Sequence, residues 1–206
     1  MGTYSLNNDV SMKNDYLLRI LRSDQTIFTF KDVCLVWGQT DINYVKKKLH
    51  RYVKAGKLLA VRKGIYTKDQ NYDPYELAVK IYTPAYISFE TVLGAAGITF
   101  QYYNQIFVAS YQSREIEIEG QHYAFLRIKE SILTNLKGID VRKNYSIATP
   151  ERAFLDVLYR QKSYHFDNLG SLDWDSVYEI LPIFGGNRRM GRTVNEHYQR
   201  SKRAAE

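Results

Sequence analysis

One cysteine, Cys34, stands in a chain of 206 residues, so no internal disulfide can form and no multi-cysteine metal site can be built. Proline (4) and glycine (12) are sparse, which excludes a collagen-like or low-complexity chain. No run approaches the roughly 18 apolar residues that span a bilayer, and Met1 to Asp9 holds no basic segment followed by an apolar one, so no secretory leader is expected there. The expected place is the cytoplasm, with no membrane partner. What is present is 45% apolar, 14% aromatic and 25% charged, a composition that builds packed cores. The length suits one large domain or two small ones.

Charge favours two. The net balance is +7, and residues 1 to 68 hold 13 Lys and Arg against five Asp, or +8. Residues 69 to 187 come to −5, and the tail 188 to 206 returns to +4. A basic segment joined to an acidic one predicts two surfaces for two partners, one polyanionic and one other than nucleic acid.

In the basic segment, Met12, Tyr16, Leu17, Ile20 and Leu21 recur at helical spacing, predicting an amphipathic helix over Ser11 to Leu21. A second helix follows Thr29, which caps it with Asp32 three residues on, while Phe28 and Val33 form a hydrophobic staple and Gly38 ends it. The third starts at Thr40 or Asp41 and runs to Ala55, with Gly56 placed for a left-handed cap. At 100° per residue, Ile42, Val45, Leu49, Tyr52 and Val53 share one side, and Asn43, Tyr44, Lys47, Arg51 and Lys54 the other. Lys48 and His50 flank the outer face, with Lys46 nearer the core edge. Leu58 to Val61 and Ile65 to Thr67 then read as short strands around Arg62-Lys63-Gly64. Three helices and a basic-tipped hairpin predict a winged helix-turn-helix over residues 1–70. Its third helix is expected in the major groove of double-stranded operator DNA, with Asn43, Tyr44 and Lys47 at bases and Lys48, Arg51 and Lys54 on phosphates. Arg62 and Lys63 are expected to reach a neighbouring minor groove or phosphate.

Asn71-Tyr72-Asp73-Pro74 marks the junction, since Asp73 caps a helix whose first residue is Pro74. Beyond it, Ser88 to Ala96 reads as a helix, and Gln105 to Ser110, Arg114 to Glu119 and His122 to Lys129 as strands, the last two turning through Gly120-Gln121. Alternation places Glu115, Glu117 and Glu119 on one face and Ile116 and Ile118 on the other. Tyr145 to Ala148 is a further strand, and Thr149 with Pro150 starts a central buried helix in which Arg152 and Asp156, four apart, can pair. Another helix begins at Asp173, is interrupted by Pro182 and Gly185-Gly186, and a basic helix covers Val194 to Lys202. The fold class is α+β: the winged helix, then a mixed α/β domain over residues 71–206.

The inventory for an enzyme is poor. Gly185-Gly186-Asn187-Arg188 has no preceding strand and no phosphate-loop lysine, which leaves a turn. His50, His122, His165 and His197 show no metal-ligand spacing. Cys34 among Val33, Leu35 and Val36 reads as a buried inert thiol. The three glutamates read as a solvated strand face or a docking surface for a basic partner. No catalytic residue, metal or cofactor is expected.

Three groups of residues carry a family resemblance: Ala55-Gly56-Lys57-Leu58-Leu59 through Arg62-Lys63-Gly64-Ile65-Tyr66; Tyr86-Ile87-Ser88-Phe89-Glu90-Thr91-Val92-Leu93; and Ala148-Thr149-Pro150-Glu151-Arg152-Ala153-Phe154-Leu155-Asp156. Over about residues 10 to 160 the chain resembles the AbiEi antitoxins of type IV bacterial toxin–antitoxin systems. The resemblance implies a DNA-binding N-terminal domain that represses its own operon and a C-terminal domain that counters a separately encoded nucleotidyltransferase-like toxin. The tail after about residue 165 lies outside it. Two other readings stand beside it: a stand-alone winged-helix regulator whose C-terminal domain senses a ligand or dimerises, and a nuclease brought to DNA by its winged helix.

Overall fold

The computed structural model describes residues 15–205 and divides the chain into two compact units, the first ending at Leu77 and the second beginning at Ala78. Both helices and sheets are present, and the class is α+β.

The first unit runs α1 (Tyr16–Arg22), β1 (Ile27–Thr29), α2 (Phe30–Trp37), α3 (Ile42–Lys54), β2 (Leu59–Arg62) and β3 (Ile65–Thr67). Met12 and the start of the first expected helix lie outside the described residues. Each helix start follows from a short polar side chain. Asp15 accepts from the Leu18 amide at the head of α1. Thr29 and Asp32 exchange hydrogen bonds with each other's backbone amides, completing the expected capping box of α2. Asp41 accepts from the Asn43 and Tyr44 amides at the head of α3. Gly38 closes α2 in the left-handed conformation, and Gly56 does the same after α3.

β1 was not visible in the sequence. It pairs antiparallel with β3, which also pairs with β2, so the three strands form one sheet in the order β1-β3-β2. Three residues are too few to show a period. What holds them is the Phe28–Tyr66 register and the bond from the Phe30 amide to the Gly64 carbonyl. Tyr16, Ile20, Phe28, Val33, Trp37, Val45, Leu49 and Leu58 form the core of this unit. Cys34 is half-buried against that core rather than buried within it.

α4 (Pro74–Ile81) spans the boundary between the units. Asp73 accepts from the Tyr75 amide, as its position before Pro74 predicts. The buried Glu76 carboxylate accepts from both the amide and the hydroxyl of Thr26.

The second unit is built on a six-stranded mixed sheet. Its strands are β4 (Ala85–Ile87), β5 (Gln105–Ser110), β6 (Arg114–Ile118), β7 (Gln121–Arg127), β8 (Ile139–Val141) and β9 (Ser146–Ala148), ordered β6-β7-β5-β4-β9-β8. The β6–β7 hairpin turns through Glu119 and Gly120, both at positive φ, one residue earlier than the expected Gly120-Gln121. β7 then lies parallel to β5 over six residue pairs, and β4 parallel to β9. The expected helix from Ser88 is shorter. Ala85 to Ile87 is strand and α5 covers Glu90–Ala95, because Phe89 at φ 57° breaks the run between them.

α6 (Glu130–Leu133) leads to β8, and α7 (Pro150–Arg160) packs against α5, β9 and α8 (Trp174–Ile180). Ala153, Phe154, Leu155, Val157 and Leu158 of α7 are all buried, which makes it the central helix that its composition predicts. A 3-10 turn at Leu181–Phe184 follows α8, and Gly185 and Gly186, both at positive φ, lead into α9 (Arg188–Ala205), longer at both ends than the sequence suggests. Among the described residues, no helix is long and apolar enough to cross a membrane.

Candidate nucleic-acid interface

α3 presents a cationic arc whose position follows from what the helix buries. Val45 and Leu49 are fully covered, with Tyr52 and Val53 half-buried beside them. Asn43, Lys46, Lys47, His50, Arg51 and Lys54 are exposed on the opposite side. From Asn43 to Lys54 the arc runs roughly 16 Å along the axis at 1.5 Å per residue. No acidic residue occurs between Asp41 and Asp69, while nine basic ones do. Lys46, Lys47, Arg51 and Lys54 make no ion pair with another described residue.

The arc is rotated from the expected one, and the cause is Tyr16. The Lys48 ammonium lies 4.4 Å from the centroid of the Tyr16 ring and 5.6 Å from that of Tyr44. It also donates to the Tyr44 hydroxyl at 3.3 Å. Tyr16 is held in turn against Trp37, 5.1 Å between centroids, and its hydroxyl accepts from Gln39 at 2.7 Å. Lys48, expected on phosphate, is therefore half-buried over aromatic faces, and Lys46, expected nearer the core, faces solvent. Tyr44, expected at bases, packs edge-on against Tyr16 and stays 37% exposed. Ile42, expected on the core side, is 54% exposed at the first position of α3, one turn before Val45, the first buried residue on that side. The Tyr44-Lys48-Tyr52 spacing of four was the sequence signal for this cage.

The hairpin from β2 to β3 turns through Lys63 and Gly64, with Gly64 at φ 78°. Lys63 is exposed at the turn, while Arg62 is half-buried at the end of β2. Together the α3 arc and the Lys63 turn supply guanidinium, ammonium and amide donors without a competing carboxylate, the chemistry that phosphate oxygens and base edges accept.

The second unit holds a different polar cluster, closed to solvent. The Arg152 guanidinium contacts the Asp156 carboxylate at 3.2 Å and donates to the Tyr86 hydroxyl and to the Ile132, Asn135 and Lys137 carbonyls. Asp156 accepts also from the Tyr86 and Ser88 hydroxyls, at 3.0 and 2.7 Å. Burial pushes the Asp156 carboxyl up, and the Arg152 charge pulls it back. Tyr86 and Ser88 belong to one of the resemblance segments, Arg152 and Asp156 to another. Thr91 accepts from the Phe107 amide, Thr149 caps α7, and Glu151 accepts from the Asp173 amide at the head of α8. These segments thus do structural work: they fasten β4, α7, the end of α6 and the loop that follows it.

Glu115, Glu117 and Glu119 are exposed, with Glu117 3.9 Å from His122 across the hairpin. His50 and His165 face solvent, and His197 sits edge-on to Phe154 and Phe166, its pKa lowered by burial. Among the described residues, no three His, Cys, Asp or Glu side chains are grouped to hold a metal ion.

No protein-family model and no curated protein matches the chain. Among solved structures, the crystal structure of the RV2827C protein from Mycobacterium tuberculosis is similar over 90% of this chain and 81% of its own, at 11% identity and a TM-score of 0.46. That likeness is too slight to carry a fold or a function across.

Proposed function

We propose that this chain is the antitoxin and autorepressor of a type IV toxin–antitoxin operon, acting in the cytoplasm. Its first unit is a winged helix-turn-helix that binds operator DNA, and its second counters a nucleotidyltransferase-like toxin. The element order helix, strand, helix, helix, strand, strand on a three-stranded antiparallel sheet supports the winged-helix reading. The observation that carries it is the solvent-facing arc of Asn43, Lys46, Lys47, Arg51 and Lys54, in a stretch with no carboxylate between Asp41 and Asp69. An α-helix fits the major groove, and such a face delivers donors to bases at one end and phosphates along its length.

The test has two arms. Binding to the DNA upstream of its own gene is measured against salt: neutralising about six phosphates gives a log K against log salt slope near −5. Lys47→Glu/Arg51→Glu abolishes specific binding while the protein stays folded, and a salt-insensitive interaction overturns the assignment. Co-expression with a neighbouring nucleotidyltransferase-like protein then restores growth, and the same double variant still rescues if repression and antitoxicity reside in separate units. Failure of the intact protein to rescue removes the antitoxin reading.

A second reading, the stand-alone regulator, draws on one observation. A surface groove of about 860 Å³, lined in part by Pro84, Tyr111, Arg127, Lys129 and Glu130, is large enough for a small effector. It prevails if no toxin is rescued and DNA binding persists.

A further inference from the structure

We propose that the outer face of α9 is a second nucleic-acid contact, made to the phosphate backbone of a duplex and indifferent to its sequence. It goes beyond the function proposed above and does not rest on it, because α9 belongs to the second unit. The inward side of the helix is fixed by Met190 and Val194, both fully buried, and by His197, whose ring meets Phe154 and Phe166. At 100° per residue the opposite side carries Arg188, Arg192, Asn195, Gln199 and Arg203, all exposed, within an arc of about 80°. The stripe is roughly 22 Å long at 1.5 Å per residue, the axial length of about six base pairs. Glu196 lies at its margin, and Arg188, Arg192 and Arg203 pair with no carboxylate among the described residues.

Three arguments select the partner. An amphipathic helix binds a membrane by inserting its apolar face, and here that face is spent on the protein's own core. A protein interface is anchored by apolar or aromatic side chains at its centre, and the stripe has none. The guanidinium forks of Arg188, Arg192 and Arg203 are donor-only groups that match phosphate oxygens, and the amide side chains of Asn195 and Gln199 between them add donors without negative charge.

The experiment uses the full chain and a fluorescent 30-base-pair duplex of arbitrary sequence, titrated at several salt concentrations. Arg188→Gln/Arg192→Gln/Arg203→Gln weakens binding at least ten-fold at moderate salt and reduces the log K against log salt slope by about 3, near one for each phosphate no longer neutralised. Arg188→Lys/Arg192→Lys/Arg203→Lys keeps most of the affinity. Single variants, Arg192→Gln and Arg203→Gln, each remove about one from the slope and serve if the triple variant does not fold. An unchanged slope in folded variants overturns the proposal, and so does displacement of the protein by polyglutamate more readily than by unlabelled duplex at equal charge. Lys47→Glu/Arg51→Glu is titrated in parallel on the upstream DNA. If the α9 variants lose slope while that variant keeps specific binding, the winged-helix reading fails and this one stands; the reverse result separates them the other way.

Discussion

The Arg152 guanidinium and the Asp156 carboxylate meet 3.2 Å apart on successive turns of α7, and solvent reaches neither. Two charges removed from water cost several kcal/mol each unless every remaining donor and acceptor is satisfied. Here the cluster supplies partners from four places in the chain: the end of α6 with the loop after it (Ile132–Lys137), Tyr86, Ser88 and α7 itself. The pair therefore sets the position of β4 and of that loop relative to the central helix.

Removing one member leaves the other charged and buried. Arg152→Met is expected to lower unfolding free energy by about 3–5 kcal/mol, and Asp156→Leu similarly, whereas Arg152→Met/Asp156→Leu costs clearly less than the sum. Urea unfolding of the three variants reads this directly. Additive losses would show that the ion pair is incidental to the cluster.

Gly138 tests the same neighbourhood by size. Its φ is +68°, and a Cβ there meets Ile180 Cδ1 at 2.7 Å and Arg152 Cβ at 2.8 Å. Gly138→Ala is expected to cost roughly 2–4 kcal/mol, strain and overpacking together. Gly97→Ala has a similar φ with open space around it and is expected to cost about 1–2 kcal/mol. Thermal unfolding of both separates overpacking from strain, and equal losses would remove the overpacking.

Helix starts were legible because they are local: Thr29, Asp41, Asp73, Thr149 and Asp173 each accept from an amide two or three residues on. The strands β1, β4 and β8 were not: β1 and β4 take their pairing from strands far along the chain, and β8, though it pairs with the nearby β9, is too short to show a period of its own. The equally short β3 and β9 were marked by the turn at Gly64 and the cap at Thr149 beside them. The candidate site was legible as a face and misread at its edges. The rotation that covers Lys48 and exposes Lys46 depends on Tyr16, about thirty residues away. Arg152 and Asp156 were legible as an i, i+4 pair, but not their burial, since the carbonyls that receive Arg152 come from the four-residue helix α6 and the loop after it, neither of which shows a sequence period.

Lys47 and Lys48 are adjacent and chemically identical, yet opposite behaviour is expected of them. Lys47→Ala weakens upstream-DNA binding and lowers the salt slope by about 1 without changing stability. Lys48→Ala gives up its packing on Tyr16 and Tyr44 and costs about 0.5–1 kcal/mol of stability, with a smaller change in slope. Anisotropy and unfolding measured on both variants decide it; a larger slope change for Lys48→Ala would place its side chain on phosphate after all.

Glu90 ties stability to pH. Its side chain is buried, and burial pushes its carboxyl above the ordinary value, offset in part by its own backbone amide, by the Tyr164 hydroxyl that donates to it and by Arg160. One of its oxygens has no hydrogen-bond partner. A carboxyl with a raised folded pKa holds its proton more tightly in the folded protein than in the unfolded chain. Its contribution to stability is therefore complete below the unfolded value near 4.5 and is lost as pH rises through the folded value. Glu90→Gln keeps the volume and cannot ionise, so its stability relative to the parent rises with pH across that window and is flat beyond it. Urea unfolding from pH 4 to 8 measures the difference. A difference that falls with rising pH would mean that the carboxylate is the form stabilised in the fold, with Arg160 and Tyr164 outweighing burial.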